Sequence, residues 1–224
     1  MRRTIGAMTI AVVAAATTAS AADVSHKLAD RIKEASNTLQ EIHAVPDKDI
    51  PQELWDKAEC VIVIPDLKKA AFIVGGEFGK GLMSCKHNGV WSAPIFMEMQ
   101  KGSWGLQIGA ESIDLVLLVM NPNGVDKLLG NKVTLGADAS VAGGPVGRSA
   151  HAATDAQLKS EILSWSRAQG LFAGIDISGG VLKPDNDDNA AVYGKNISPR
   201  AVVLEGKAKA PAATQPFMDA LRRQ

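Results

Sequence analysis

The sequence predicts an α+β domain in which a mostly antiparallel, glycine-rich sheet curls into a barrel-like or sandwich core flanked by helices. Three observations predict it. The stretch Gly102–Met120 (GSWGLQIGAESIDLVLLVM) ends in six consecutive apolar residues, Leu115–Met120. That run is too short for a membrane span and suits a central strand buried on both faces. An aliphatic–Gly–x–acid phrase recurs at Val74–Glu77, Ile108–Glu111 and Leu135–Asp138, and with alanine leading at Ala173–Asp176, as if similar strands were each entered through a glycine. Hairpin signals fill the middle of the chain, while helical periodicity is strongest at its two ends.

In chain order, residues 1–21 read as a secretory signal peptide. Arg2 and Arg3 lead an apolar run, Ile5–Ala16, and Ala19-Ser20-Ala21 has the small–x–small form of a cleavage site. The residues around the paired arginines match a twin-arginine signal poorly, and no cysteine near the cleavage point offers a lipid anchor. The expected location is periplasmic or secreted. Residues 22–224 then form one domain, with an amphipathic helix over 24–43 and a core over about 55–221.

Val24, Leu28, Ile32, Ala35, Leu39 and Ile42 fall at helical steps and give one apolar stripe. Lys27, Asp30, Arg31, Lys33 and Glu34 make the opposite face mixed in charge. The stripe either packs on the domain or lies in a lipid interface. Asp47–Pro51 is a turn, with Pro51 opening a short helix that reaches Ala58. Cys60–Ile64 reads as a buried strand stopped by Pro65-Asp66, and Ala70–Val74 as a second strand. Gly75–Gly81 (GGEFGKG) reads as a glycine-rich hairpin, followed by a strand over Leu82–Lys86. Asn88-Gly89 is a strong hairpin turn. Trp91–Met99 is a further strand with Pro94 at an edge or bulge, and Lys101-Gly102 turns into the central stretch.

Asn121-Pro122 caps a helix that Gly130 closes, and Val133–Gly147 reads as one strand of small residues. Ile162–Ser166 and Leu171–Ile177 form a hairpin, or else a helix runs through Lys159–Ala168. Asp185–Asn189 is a loop or cap before a short helix ending at Gly194. Ser198-Pro199 opens another helical turn, and Pro211–Arg223 is a terminal helix.

Composition narrows the function. Lys and Arg number 24 against 24 Asp and Glu, and loss of Arg2 and Arg3 leaves 22 against 24, a charge of −2. Nothing there supplies the basic face that nucleic acid requires, so nucleic acid is not a partner. In an oxidising compartment Cys60 and Cys85 are either a disulfide closing a loop of 25 residues or two small buried hydrophobes.

The stretches AECVIVIPDLKKAAFIVGGEFGKG (58–81), GSWGLQIGAESIDLVLLVM (102–120), VTLGADASVAGGPVGR (133–148) and ILSWSRAQGLFAGIDISGGVL (162–182), with Tyr193–Lys195, resemble the SYLF domain, also called the DUF500 or Las17-binding-type domain. The resemblance covers about Trp55 to Leu221. It implies association with lipid or membrane and no enzymatic activity. Its eukaryotic members bind phosphoinositides and, in yeast, actin filaments, and many bacterial members are exported. This chain departs from the eukaryotic pattern by its signal peptide and by carrying no partner-binding domain.

The residues expected to meet a headgroup are Lys27, Leu28, Arg31, Ile32, Lys68, Lys69 and Lys80, through insertion of the helix or a loop together with cationic contacts. An envelope protein partner docking on the helix stripe is the alternative. If the four Gly–x–acid phrases sat at equivalent points of neighbouring strands, Glu77, Glu111, Asp138 and Asp176 would gather at one rim. They could then hold a hard cation or serve a metal-dependent hydrolase. Otherwise each glycine permits a bulge and each acid is solvated. Other signatures fail. GGEFGKG lacks the Gly-Lys-Ser/Thr ending of a phosphate loop, and Asp185–Asn189 lacks the glycine and glutamate of an EF-hand. No Gly-x-Ser-x-Gly elbow is present, and the four histidines show no ligand spacing. No cofactor is expected.

Overall fold

The computed structural model describes residues 24–42, 44, 50–71, 74–104, 109–130, 132–146, 159–168 and 171–222. The expected signal peptide lies outside them. Helices α1 (His26–Ile42) and α2 (Gln52–Lys57) precede β1 (Cys60–Ala71), β2 (Val74–His87), β3 (Val90–Trp91), β4 (Ile95–Trp104) and β5 (Gly109–Val119). After α3 (Pro122–Gly130) come β6 (Val133–Thr134), β7 (Val141–Gly143), β8 (Ile162–Ala168), β9 (Leu171–Gly174) and β10 (Val181–Pro184). Helices α4 (Asn186–Tyr193), α5 (Pro199–Val203) and α6 (Gln215–Arg222) close the described chain.

The strands form one sheet in the order β6-β10-β4-β2-β1-β5-β8-β7, with β3 added to β2 and β9 to β8. Every pairing is antiparallel except β7 with β8. β6 and β7 stand at opposite edges, yet only Leu135–Ser140 separates them in the chain. Six residues span at most about 20 Å, so the two edges must approach each other. The sheet is a strongly curled half-barrel.

Its two faces bury different sets. Cys60, Ile62 and Ile64 of β1 and Leu115, Leu117 and Val119 of β5 point to one core, shared with Met83, Met97, Val125, Leu128 and Val202. Val61, Val63, Val116 and Leu118 alternate with them and meet Leu28, Ile32, Ala35, Leu39 and Ile42 of α1, Trp55 of α2 and Phe217 of α6. Burial on both faces explains the uninterrupted runs CVIVI and LVLLV. It also answers where the α1 stripe goes: it packs on the sheet.

Several expected boundaries move. β1 does not stop at Pro65-Asp66 but continues to Ala71 through a bulge. Between the pairs Ile64–Leu115 and Leu67–Ile113, two residues of β1, Pro65 and Asp66, lie opposite one of β5, Asp114. Asp66 adopts φ 51°, and its amide donates to Asp114 Oδ1 at 3.0 Å. GGEFGKG is not a hairpin: it lies inside β2, paired on both sides. Its last glycine is required there, because a Cβ on Gly81 would stand 1.9 Å from the Val63 carbonyl oxygen. Gly102 likewise does not turn but pairs with Gly76. In place of one strand over Val133–Gly147, the described residues 133–146 hold two short strands separated by a turn at Gly136, whose φ is 84°.

The hairpin over β8 and β9 forms as expected, which excludes the helix through Lys159–Ala168. Asn88 and Gly89 both take positive φ, 51° and 78°, the signature of a two-residue primed turn. Asn121 accepts from the Gly124 amide at 2.9 Å and opens α3. Asp185 caps α4 and Ser198 caps α5. Cys60 and Cys85 lie directly across from each other on β1 and β2 and are joined as a disulfide.

Candidate functional site

The bulge changes which residues share the helix-covered face. Val61 and Val63 point toward α1, and one extra residue then gives that side to Lys68 in place of an odd-numbered position. Lys68 pairs with Phe78 of β2, which alternates with Lys80 and Leu82, and Lys80 pairs with Glu98 of β4. Leu82 lies under α1 in the apolar cluster. Toward the bulge the same column turns polar, and α1 and the bulge enclose an open groove of about 470 Å³. Lys27, Asp30, Arg31 and Glu34 of α1, at helical steps of three, one and three, form one wall. Asp66 and Lys68 form the other, with Gly79 and Lys80 as the floor and the half-exposed Phe78 at the mouth.

Charges at the floor are tightly held. Arg31 is only 6% exposed, donates to Asp188 Oδ2 at 2.8 Å and lies 3.8 Å from Asp185, which is 5% exposed. Its guanidinium also sits 5.5 Å from the centre of the Phe96 ring. Lys80 donates to Asp185, reaches Asp188 at 3.3 Å and stands 4.0 Å from Glu98, which in turn holds Lys183 at 2.6 Å. Asn189, one residue beyond Asp188, exchanges two hydrogen bonds of 2.8 Å with the Phe96 backbone. Thus α4 fastens both α1 and β4.

Burial works against the Lys80 charge, but the hydrogen bond and charge of Asp185, joined by those of Asp188, outweigh it and raise its pKa. Burial, then the hydrogen bond shared with Asp188, pushes Asp185 up. Burial also opposes ionisation of Asp188. The hydrogen bonds from Asp185 and Arg31 and the charges of Arg31 and Lys80 prevail, holding it at about 2.

Rim charges are looser. Lys68 and Asp66 form an ion pair at 3.3 Å with exposures of 73% and 48%, a kind of contact worth little in water. Ser112 Oγ donates to Asp66 as well. Phe78 is 45% exposed, one of three large apolar side chains open to solvent among the described residues.

The groove therefore collects Lys27, Arg31, Lys68 and Lys80 from the expected headgroup set. Leu28 and Ile32 are elsewhere: both are buried in the α1–sheet core and face away from solvent. Insertion of that stripe into a lipid interface is excluded while α1 stays in place, because it already covers Val63 and Leu82. Lys69 pairs with Glu77 and Glu111 in the ladder, and its side chain and that of Glu111 lie outside the described residues.

The four acids do not occupy equivalent strand positions. Glu77 lies within β2, Glu111 near the start of β5, Asp138 in the turn after β6, and Asp176 beyond the end of β9. Asp138 accepts from the Thr134 amide at 2.7 Å, and that bond lowers its pKa. Asp176 accepts from the Ser178 hydroxyl and from its amide at 2.8 Å, which lowers its pKa too. Both acids close turns. No group of three or more His, Cys, Asp or Glu side chains able to hold a metal occurs among the described residues. Sequence reasoning missed Asp66, Phe78, Asp185 and Asp188 as site residues. A Pro-Asp step inside an apolar run is the available signal for a bulge. The pairing of Arg31 with Asp188 spans 157 positions and has no local signal.

A wider hollow of about 670 Å³ lies between α3, β10 and the starts of α4 and α5. Lys183 there is engaged by Glu98, and the Ser198 hydroxyl caps α5. None of the expected site residues lines it.

Comparison with known proteins identifies the family. The profile of the Ysc84 family, described as Las17-binding protein actin regulator, matches residues 100–224. Protein YSC84 of Saccharomyces cerevisiae is 32% identical over 176 residues, covering 77% of this chain and 37% of that protein. LAS seventeen-binding protein 3 of Saccharomyces cerevisiae is 31% identical over 179 residues, covering 78% of this chain and 39% of its own length. The SH3 domain-containing YSC84-like protein 1 of Homo sapiens is 28% identical over 206 residues, covering 88% and 59%. The chain thus spans about two fifths of the length of the two yeast relatives. By the extent of the profile match and these identities, the chain belongs to the Ysc84, or SYLF-domain, family.

Proposed function

We propose that this chain is a non-catalytic binding module of the cell envelope, and that it docks on a phospholipid surface through the rim of the α1–bulge groove. The single observation that carries this reading is the convergence of Lys27, Lys68 and the half-exposed Phe78 around one opening. Two mobile cations can meet phosphates while an aromatic ring sits at the boundary between headgroup and chain. Arg31 and Lys80 contribute position more than charge, because Asp185 and Asp188 already neutralise them. The signal peptide that the sequence predicts over residues 1–21 supports a surface outside the cytoplasm.

Flotation of the mature protein with vesicles tests the proposal. Removal of α1 would be a poor perturbation, since it uncovers Val63, Leu82 and Trp165. Charge reversal at the rim, Lys27→Glu with Lys68→Glu, leaves the core intact and should reduce flotation about tenfold or more. Wild-type protein that stays at the bottom of the gradient with every vesicle would end the lipid reading.

A second reading, an envelope protein partner, is favoured by a yeast relative whose name records binding to LAS seventeen. A co-purifying protein together with failed flotation would select it.

A further inference from the structure

We infer that the groove is built for a zwitterionic headgroup, with phosphate held by Lys27 and Lys68 and an ammonium held by Asp30 and Glu34 beside the Phe78 ring. The inference rests on the surface-binding reading above and names the class of lipid.

The charge balance decides between headgroup classes. Four cations line the groove, Lys27, Arg31, Lys68 and Lys80, against three carboxylates, Asp30, Glu34 and Asp66. Arg31 and Lys80 are held by Asp185 and Asp188. Two lysines then remain for a ligand, facing three carboxylates. A headgroup with net negative charge would enter a site that is itself slightly negative and would be repelled by more charge than attracts it. A zwitterion brings no net charge and can satisfy both signs.

Geometry agrees. Lys27 and Asp30 are three residues apart on α1, a rise of about 4.5 Å, and Asp30 and Glu34 are one turn apart on the same side. A phosphate and an ammonium joined by a two-carbon link are separated on that scale. Lys68 stands across the groove in a solvent-exposed pair with Asp66, which a phosphate can displace. Phe78 presents an open ring at the same mouth, and an aromatic face attracts a quaternary or primary ammonium.

The test uses the mature chain and three vesicle compositions: phosphatidylcholine alone, phosphatidylcholine with phosphatidylethanolamine, and phosphatidylcholine with phosphatidylglycerol. Soluble phosphocholine, phosphoethanolamine and inorganic phosphate serve as competitors. The inference expects flotation with the two zwitterionic compositions, little change on raising salt, and weaker flotation as phosphatidylglycerol is added. Phosphocholine or phosphoethanolamine should compete, and inorganic phosphate should not. Phe78→Ala, at an exposed position, should weaken binding several-fold. Asp30→Asn with Glu34→Gln removes two negative charges and should move the preference toward phosphatidylglycerol by about tenfold.

Selective flotation with phosphatidylglycerol by the wild-type chain overturns the zwitterion inference while leaving surface binding intact. Competition by inorganic phosphate equal to that by phosphocholine also overturns it, since the site would then recognise an anion alone. Failure with all three compositions overturns both this inference and the reading beneath it.

Discussion

Replacing Arg31 by methionine tests whether α1 is fastened by charge as well as by its apolar stripe. The guanidinium is 6% exposed and donates to Asp188 at 2.8 Å, while Asp188 keeps Lys80 at 3.3 Å. Breaking a fully buried ion pair by deleting one partner costs about 3–5 kcal/mol, mostly from the charge left behind. Here Asp188 is 24% exposed and retains a cation, so the expected loss is about 2–3 kcal/mol. The lost contact with the Phe96 ring adds about 0.5–1 kcal/mol, and methionine packing on that ring returns a similar amount. For a domain of this size the sum corresponds to a fall in Tm of about 4–12 °C.

Urea unfolding followed by the fluorescence of the buried Trp55 and Trp165 measures the loss, and the slope shows whether the unfolding unit stays the same. A double-mutant cycle with Asp188→Asn isolates the pair, with an expected coupling of about 1–2 kcal/mol. A loss below about 0.5 kcal/mol with no coupling would refute the reasoning. It would mean that the apolar stripe alone holds α1 and that the floor charges are solvated.

Four further outcomes follow from the same structure. Gly81→Ala should destabilise by more than about 3 kcal/mol, because its Cβ would meet the Val63 backbone at 1.9 Å. Gly102→Ala, on the neighbouring strand β4 with open space at its Cβ, should be neutral or slightly stabilising in a thermal assay. Replacing both Cys60 and Cys85 by alanine should cost about 3 kcal/mol in urea unfolding, since the bridge closes a loop of 25 residues in the unfolded chain. The pH dependence of Asp188→Asn should differ from wild type in one window. With its folded pKa depressed to about 2, Asp188 contributes stability above its ordinary value near 3.8, lost as pH falls toward 2. The wild-type advantage in Tm should therefore be full above about pH 4 and gone near pH 2. A constant difference across that window would exclude the assignment.

Fold class was legible because the periodicities are strong: the α1 stripe, the two apolar strands and the Asn88-Gly89 turn each admit one reading. The Asp185 cap, the Gly194 stop and the Asn121 cap were legible because capping is a local property. Strand ends were not. Pro65-Asp66 has the composition of a turn, and only pairing with β2 and β5 on both sides keeps the chain extended there. GGEFGKG has the composition of a loop, yet the approach of β1 to its final glycine is a tertiary fact. The recurring Gly–x–acid phrase does not place its four acids alike: at Asp138 and Asp176 the acid closes a turn, whereas Glu77 and Glu111 stand on either side of Lys69 in the ladder. Lys27, Arg31, Lys68 and Lys80 were singled out by charge alone. Their convergence depends on a strand bulge that the sequence did not reveal, and on the docking of α4 against α1 and β4, which has no local signal.

One inserted residue links the fold to the groove. Without the bulge at Pro65-Asp66, strict alternation from Val61 and Val63 would continue toward α1 at odd positions, sending Leu67 outward and Lys68 into the inner core. The extra residue lets Leu67 join Ile64 in the inner cluster and turns Lys68 toward the helix. The same distortion brings the β1 backbone against β2, which excludes any side chain at Gly81. The left-handed Asp66 is held by Asp114 and Ser112, so the wall of the groove is anchored in the sheet. A surface loop could present a lysine and an aspartate with less constraint. Here Lys68 is fixed across from Lys27, Asp30 and Glu34 of α1 by a strand anchored in the sheet, as the proposed recognition of two opposite charges on one small ligand requires.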